Sequence, residues 1–470
     1  MLTRRAFSLL PISIGFSFSE PPPDPYLEAK DLLVKGKKLA KSIELLEKSG
    51  HADSQFLILC ACVGRLASID FATLEWDAYL QEKNTQEVKK QTNPEFEISL
   101  PPVRMPDDGK NFDPSSPSVS DEIHSLAQKI LSCCANIEKN LSEMKEPEEH
   151  EEALKNRHLY ISALILLNRV LRMFAGKFTT EKEIAELCTD SKILIQIDKF
   201  LELQPNAYDL LYLKAIVKTL PLIHVYPDRD HFAFSLGDSS RVGVDKKVLA
   251  ESISYLDTVI SKSPRHREAV LYKSLLFYFL DKSKSAEPLD KFLHYNPSIA
   301  VLYLFQSELL FSVEKADPFE PLRQANAAPI LGDFSFSLPI RFETKNCFGY
   351  LKWTSGLVLA RSLSALFSYA EGYFHGIKPE DWNRDHLSQI EALLNIGLRT
   401  IETFRKQNTS TYQEIASYKT MVLMGIVNVY SAYEIVKKSD MLSSSKEKSD
   451  FLEKYGETIE YVKKIDAEIT

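Results

Sequence analysis

One spacing recurs three times in this 470-residue chain and restricts its fold more than any single residue does. Ile197-Asp198-Lys199-Phe200-Leu201 ends four residues before Pro205, Leu256-Asp257-Thr258-Val259-Ile260 four before Pro264, and Leu289-Asp290-Lys291-Phe292-Leu293 four before Pro297. An apolar helix opening follows each proline: Leu210-Leu211-Tyr212, Val270-Leu271-Tyr272 and Val301-Leu302-Tyr303. Proline lacks the N–H and clashes with the preceding turn, so it stops one helix and redirects the chain into the next. Pro264 and Pro297 are 33 residues apart. Pro205 and Pro264 are 59 apart, one such period plus an insertion of about 25 residues. Glycine is scarce, 16 of 470, about half the usual share, and a helical period runs through most of the chain.

The repeat resembles the tetratricopeptide (TPR) family, in which proline closes the second helix and the next first helix carries a large residue and then a small one. The large position falls on Leu211, Val270 and Tyr303, the small one on Ala215, Ser274 and Ser307. A small side chain lets two helix backbones approach. The family's apolar residue three after the large one is here Lys214, Lys273 or Gln306, and its small residue five before proline is Phe200, Val259 or Phe292. The repeats are therefore degenerate, and the resemblance covers about residues 190–313. It implies a mainly α fold, an array of antiparallel helix pairs forming a TPR-like α-solenoid; because the repeats are non-uniform, one cooperative body is expected rather than an open superhelix. The recurring Asp198, Asp257 and Asp290 read as solvent-facing or locally paired with a nearby lysine.

Outside the repeat, residues 20–90 read as a helix pair, Leu27–Lys48 and Ser54–Gln81, joined at Gly50. Residues 91–121 hold six prolines and read as a linker or insertion, 122–315 as the helical repeats, 316–345 as an irregular or β insertion, and 346–470 as a C-terminal helical bundle whose first helix spans Tyr350 to Phe374. Phe96-Glu97-Ile98-Ser99-Leu100-Pro101, Phe232-Ala233-Phe234-Ser235-Leu236 and Phe334-Ser335-Phe336-Ser337-Leu338-Pro339 alternate with period two, the mark of a half-buried strand. All three interrupt the helical array, so a small inserted β element is expected, with at least two of them paired.

Residues 1–19 carry Arg4 and Arg5, no acid, and an apolar run from Ala6 to Phe18 that is too short to span a bilayer. Ser17 and Ser19 stand at −3 and −1 of a cut before Glu20, a secretory pattern. Thr3-Arg4-Arg5-Ala6-Phe7 resembles the twin-arginine export signal, although Ser8 and Leu9 depart from its last two places. That resemblance implies export and a periplasmic location; a mitochondrial presequence or a cytoplasmic chain is the alternative. After signal removal no stable membrane span is expected, since the longest later candidate, Gly356 to Phe367, is broken by Arg361.

The formal charge is −8 and no basic stripe is present, which argues against a nucleic-acid partner. Phosphate-binding glycine loops, a G-x-S-x-G elbow and an H-E-x-x-H helix are all missing, so no catalytic residue and no cofactor is assigned, and the chain reads as no enzyme. Six cysteines match no zinc spacing and read as buried free thiols. Two constellations remain. His224, Asp228, Asp230 and His231 offer imidazole and carboxylate ligands for a metal, although Pro227-Asp228 is also a good turn. Tyr350, Trp353, Tyr369, Tyr373 and Trp382 surround one C-terminal helix and offer an aromatic floor for a ligand. The expected function is an exported, non-catalytic scaffold for a protein or peptide partner. The alternative is a periplasmic binding protein holding a small or lipid-like ligand in a helical cavity, perhaps for a transporter.

Overall fold

A computed structural model describes residues 24–50, 54–92, 100–143, 161, 164, 190–219, 224–227, 234–236, 245–311, 313–331, 335–342, 347–406, 412–438 and 446–469. The described residues are mainly helical, with successive helices packed in pairs. They divide into two compact units, residues 1–213 with 344–349, and 214–343 with 350–470. The segment before residue 24 and the acidic run Glu146–Glu152 lie outside the described residues.

The first unit begins with α1 (Pro25–Lys35), α2 (Leu39–Ser49) and α3 (Ser54–Thr92). The single helix expected over 27–48 is broken at Gly36, whose φ of 62° ends α1 and turns its N–H back to Leu32 and Leu33. Glycine enters this left-handed region without the penalty a Cβ would bring. Asp24 caps the other end of α1 through Tyr26 N–H at 3.0 Å. Leu39, Leu46, Leu59, Leu66 and Ile69 of α2 and α3 are fully buried, joined by Ile123 and Ile130 of α4 (Pro117–Glu143).

Between α3 and α4, residues 100–116 are a packed loop and not a bare connector. Met105 N–H donates to Lys110 C=O at 2.8 Å, and Phe112 N–H to Val103 C=O at 2.9 Å. Val103, Met105 and Phe112 are buried. Gly109, at φ 71°, makes the turn between them. The unit ends in α5 (Asp190–Leu203), and the boundary falls within α6 (Tyr208–Thr219).

Strands β1 (His224–Pro227) and β2 (Phe234–Leu236) precede the helices of the second unit. These are α7 (Lys246–Lys262), α8 (Arg267–Leu280), α9 (Glu287–Tyr295), α10 (Ala300–Phe311) and α11 (Phe319–Ala327). Then come β3 (Ser335–Phe342), β4 (Cys347–Thr354), α12 (Ser355–Gly376), α13 (Arg384–Arg405), α14 (Tyr412–Lys438) and α15 (Lys446–Ile469). Two sequence expectations change here. Phe319–Ala327 is a helix inside the stretch read as irregular, and Tyr350–Thr354 is strand, so the long helix starts only at Ser355.

The strands run in the order β2-β1-β3-β4. β1 pairs antiparallel with β2 and parallel with β3, His224 opposite Arg341. The segments at 234–236 and 335–338 thus belong to β2 and β3, the two strands on either side of β1, and do not pair with each other; β3 meets β1 further along, at Arg341 and Phe342. Of the third, Phe96–Pro101, residues 96–99 lie outside the described residues.

The repeated prolines sit as their chemistry requires. Pro205, Pro264 and Pro297 each stand two residues beyond a helix end, and the next helix starts three residues later. Ala215, Ser274 and Ser307 are fully buried, and the large partners Leu211, Val270 and Tyr303 are buried. Asp257 is solvent-facing and paired with a nearby lysine, as expected, and Asp290 pairs with a glutamine instead. Lys273 Nζ of α8 donates to Asp257 Oδ1 of α7, and Gln306 Nε2 of α10 donates to Asp290 Oδ1 of α9. Each partner is 16 residues on and occupies the position where the TPR pattern has an apolar residue. Both are polar ties between consecutive helices. The corresponding first-repeat residues, Asp198 and Lys214, fall in different units.

Candidate functional site

Aromatic side chains from four segments of the second unit converge around the C-terminal end of α12. Tyr369 and Tyr373 stand four residues apart, so the helix presents them on one face. Their rings stack at 5.6 Å between centroids and 13° between planes. Phe311, at the end of α10, stacks on Tyr369 at 4.2 Å and 22°. Phe319 of α11 fills the floor, 6.1 Å from Tyr369, 5.6 Å from Tyr373 and 5.9 Å from Phe374.

A short 3-10 turn, Pro379–Asp381, then brings Trp382 to within 5.8 Å of Phe374. His386, in the first turn of α13, closes the row 5.6 Å from Trp382 in a T-shaped contact. Its position is fixed by a reciprocal cap. Asn383 Oδ1 accepts from the Asp385 and His386 N–H groups at 2.9 and 3.2 Å, while Asn383 N–H donates to His386 Nδ1 at 3.2 Å.

The ladder has a dry floor and a wet rim. Phe319 and Phe374 are each only 3 % exposed, whereas Phe311, Tyr369, Tyr373, Trp382 and His386 are half-buried. Burial pushes the Tyr369 phenol above its ordinary range, and Tyr373 and Asp317 add to the shift, so it stays neutral and hydrogen-bonding. Stacked and T-shaped pairs at these distances give a rigid surface with little side-chain freedom left to lose on contact.

The opposite face of α12 forms a second feature. Glu371 and His375 line a cleft of about 190 Å³ against Tyr430, Ser431, Glu434, Ile435 and Lys438 of α14. Glu434 is held below the usual carboxylate range, first by Lys437, and pairs with it at 3.1 Å.

The first unit holds its polar chemistry in the core. Arg65 of α3 is 5 % exposed and meets three carboxylates: Asp107 at 2.5 Å, Asp108 at 3.3 Å and Glu122 at 2.7 Å through Nε and 3.0 Å through Nη2. Asp107 also accepts the Leu39 N–H at the start of α2, at 3.2 Å. Burial raises the Asp107 carboxyl above its ordinary value even with Arg65 beside it. Nearby, Cys60, Cys62 and Cys133 are free thiols. Burial pushes Cys60 up to about 12 and Cys133 up to about 11, and raises Cys62 further still, so none supplies a thiolate nucleophile at neutral pH.

Of the residues singled out in the sequence, the structure joins Tyr369, Tyr373 and Trp382 in one ladder. Tyr350 and Trp353 lie on β4, away from the helix assigned to them, and their side chains are outside the described residues. His224 lies on β1, while Asp228, Asp230 and His231 are outside the described residues. Among the described residues no group of three or more His, Cys, Asp or Glu is placed to hold a metal. Phe311, Phe319 and His386 complete the ladder without having been singled out. His386 had a local signal, as the third residue after an Asn ahead of an apolar-periodic run. Phe319 had none, because two prolines beside it mask a nine-residue helix.

No described helix is long and apolar enough to cross a membrane. No protein-family model matches the chain, and no curated protein matches it.

Proposed function

We propose that this chain is an exported, non-catalytic scaffold, a degenerate TPR-like array with a small β insertion, that binds a protein or peptide partner through the aromatic ladder of its second unit. The observation that carries the reading is the half-exposed rim of Tyr369, Tyr373 and Trp382 over the buried Phe319 and Phe374. Tyrosine and tryptophan dominate the energetics of protein contacts because each combines a large apolar area with a polar edge. The small-ligand alternative is less well supported. The α12–α14 cleft, at about 190 Å³, is smaller than the ~300 Å³ from which drug-sized pockets begin. Export rests on Arg4-Arg5, the apolar run Ala6–Phe18 and the small residues before Glu20.

Selection of displayed random peptides against the full chain tests the reading. Wild-type protein should enrich a family of peptides, and Trp382→Ala and Tyr373→Ala should each weaken binding to them by about 30-fold or more. Failure to enrich any peptide, or equal binding by both variants, overturns the ladder as the docking face. Intact mass in fractionated host cells checks the export arm: a periplasmic chain starting at Glu20 supports it, and a cytoplasmic chain keeping Met1 removes it.

A further inference from the structure

The cap that fixes His386 uses the imidazole as an acceptor, and only a neutral ring can do so. Asn383 N–H points at Nδ1 from 3.2 Å. With Nδ1 accepting, the ring proton sits on Nε2, 3.5 Å from the Tyr373 hydroxyl. A second proton would turn Nδ1 into a donor facing another donor. It would also place a positive charge in the first turn of α13, beside the positive end of that helix.

Acceptors at this position of a capping box are ordinarily Glu or Gln, which do not make this change. His266 gives an internal contrast. It caps α8 through Nδ1 as well, but Glu268 lies 3.7 Å from that nitrogen and compensates a charged ring.

His386 has no such compensation. Tyr373 and Phe374 face it from α12, and Trp382 faces it from the connecting turn. Tyr373 is the titratable group in contact. Among the described residues no carboxylate comes within 4.0 Å of the ring nitrogens. The nearby charges Glu380, Asp381, Arg384 and Asp385 are exposed. Those of α11, Glu320 and Arg323, pair with each other and with Asp317.

We propose that His386 is a proton-sensitive latch of the aromatic ladder: neutral, it closes the cap of α13 and holds Trp382 and Tyr373 in the row; protonated, it opens the cap and re-sets Trp382. As regulation of the docking face the proposal rests on the function given above, but the conformational step needs no partner.

The experiment is a pH titration of tryptophan emission on the full chain, with far-UV circular dichroism to follow overall folding. Wild type should show a reversible red shift on acidification while helicity stays constant. Trp382→Phe should lose the step, which assigns it to that side chain. His386→Gln keeps the acceptor without the charge and should give a flat profile. His375→Gln, on the opposite face of α12, should keep the step. Asn383→Ala removes the other half of the cap and should show the red-shifted emission already at the alkaline end. A flat wild-type profile, or a step that survives in His386→Gln, overturns the latch. Loss of peptide binding with the step intact would instead remove the docking reading and leave the latch standing.

Discussion

Arg65 meets three carboxylates from inside the first unit. Burial works against its charge, but Glu122, Asp107 and Asp108 outweigh that and keep the guanidinium protonated. The bidentate fork to Glu122 and the bond to Asp107 tie α4 and the 100–116 loop to α3, while Asp107 caps α2. Removing the cation leaves the buried carboxylate of Asp107 without a counter-charge, while Asp108 keeps Lys110 at 3.5 Å. Arg65→Met should therefore cost about 3–5 kcal/mol at neutral pH, read from urea midpoints. The pH dependence has a definite sign. The folded carboxyl of Asp107 lies above its ordinary value, so its contribution is fullest when protonated and is lost as pH rises through that folded value. Without Arg65 this burden grows, so the deficit of Arg65→Met should be greatest at neutral pH and shrink on acidification. A deficit that widens in acid would contradict this account.

At the scale of the element, the repeat motif sets the order of effects. The Asp257–Lys273 tie is exposed on the Asp side, 56 %, and exposed pairs contribute little. Gln306 is 4 % exposed, and Asp290 is raised by burial despite the Gln306 hydrogen bond. Asp257→Ala should cost under about 1 kcal/mol, and Gln306→Ala about 1–3 kcal/mol, because it empties a buried position and removes the hydrogen bond to Asp290. Equal thermal shifts for the two would refute this ranking. A tighter constraint joins α13 to α14. A Cβ on Gly397 would lie 2.9 Å from Gly425 O, and one on Gly425 would lie 2.8 Å from Gly397 O. The backbones meet there, and Asn428 Nδ2 donates to Leu393 C=O at 2.6 Å. Gly397→Ala and Gly425→Ala should each destabilise by about 1–3 kcal/mol through overpacking, measured as a fall in Tm. By contrast Gly456→Ala meets nothing within 4 Å and should be neutral or stabilising.

These same residues show what a sequence reading reaches. Pro205, Pro264 and Pro297 were legible because proline acts on the turn beside it, and Tyr369 and Tyr373 because a four-residue step is local. Gly36 was not, since a glycine within a helical period breaks it only when its neighbours can close the αL cap. Arg65 was not, because its partners lie 42 to 57 residues away and a lone cation on a helix reads as a solvated face. The Asp ties were half legible: the aspartate recurs visibly, while its partner changes from Lys273 to Gln306.

At the scale of the whole molecule, the chain comprises two compact helical units with different assignments of polar chemistry. The first unit spends its strongest charges inside, on holding a loop and three helices together. The second keeps a row of aromatic rings half-exposed, at the cost of apolar surface left in water. Among the described residues this row is a clustered aromatic surface whose burial would remove apolar area from water. Placing a photo-crosslinking amino acid at Tyr373, inside the ladder, or at Tyr295, 76 % exposed but outside it, tests this directly in host cells. The account predicts a discrete protein adduct from position 373 that is lost when Trp382→Ala is added, and none from 295. Adducts of equal yield from both positions, or an adduct at 373 indifferent to Trp382→Ala, would contradict it.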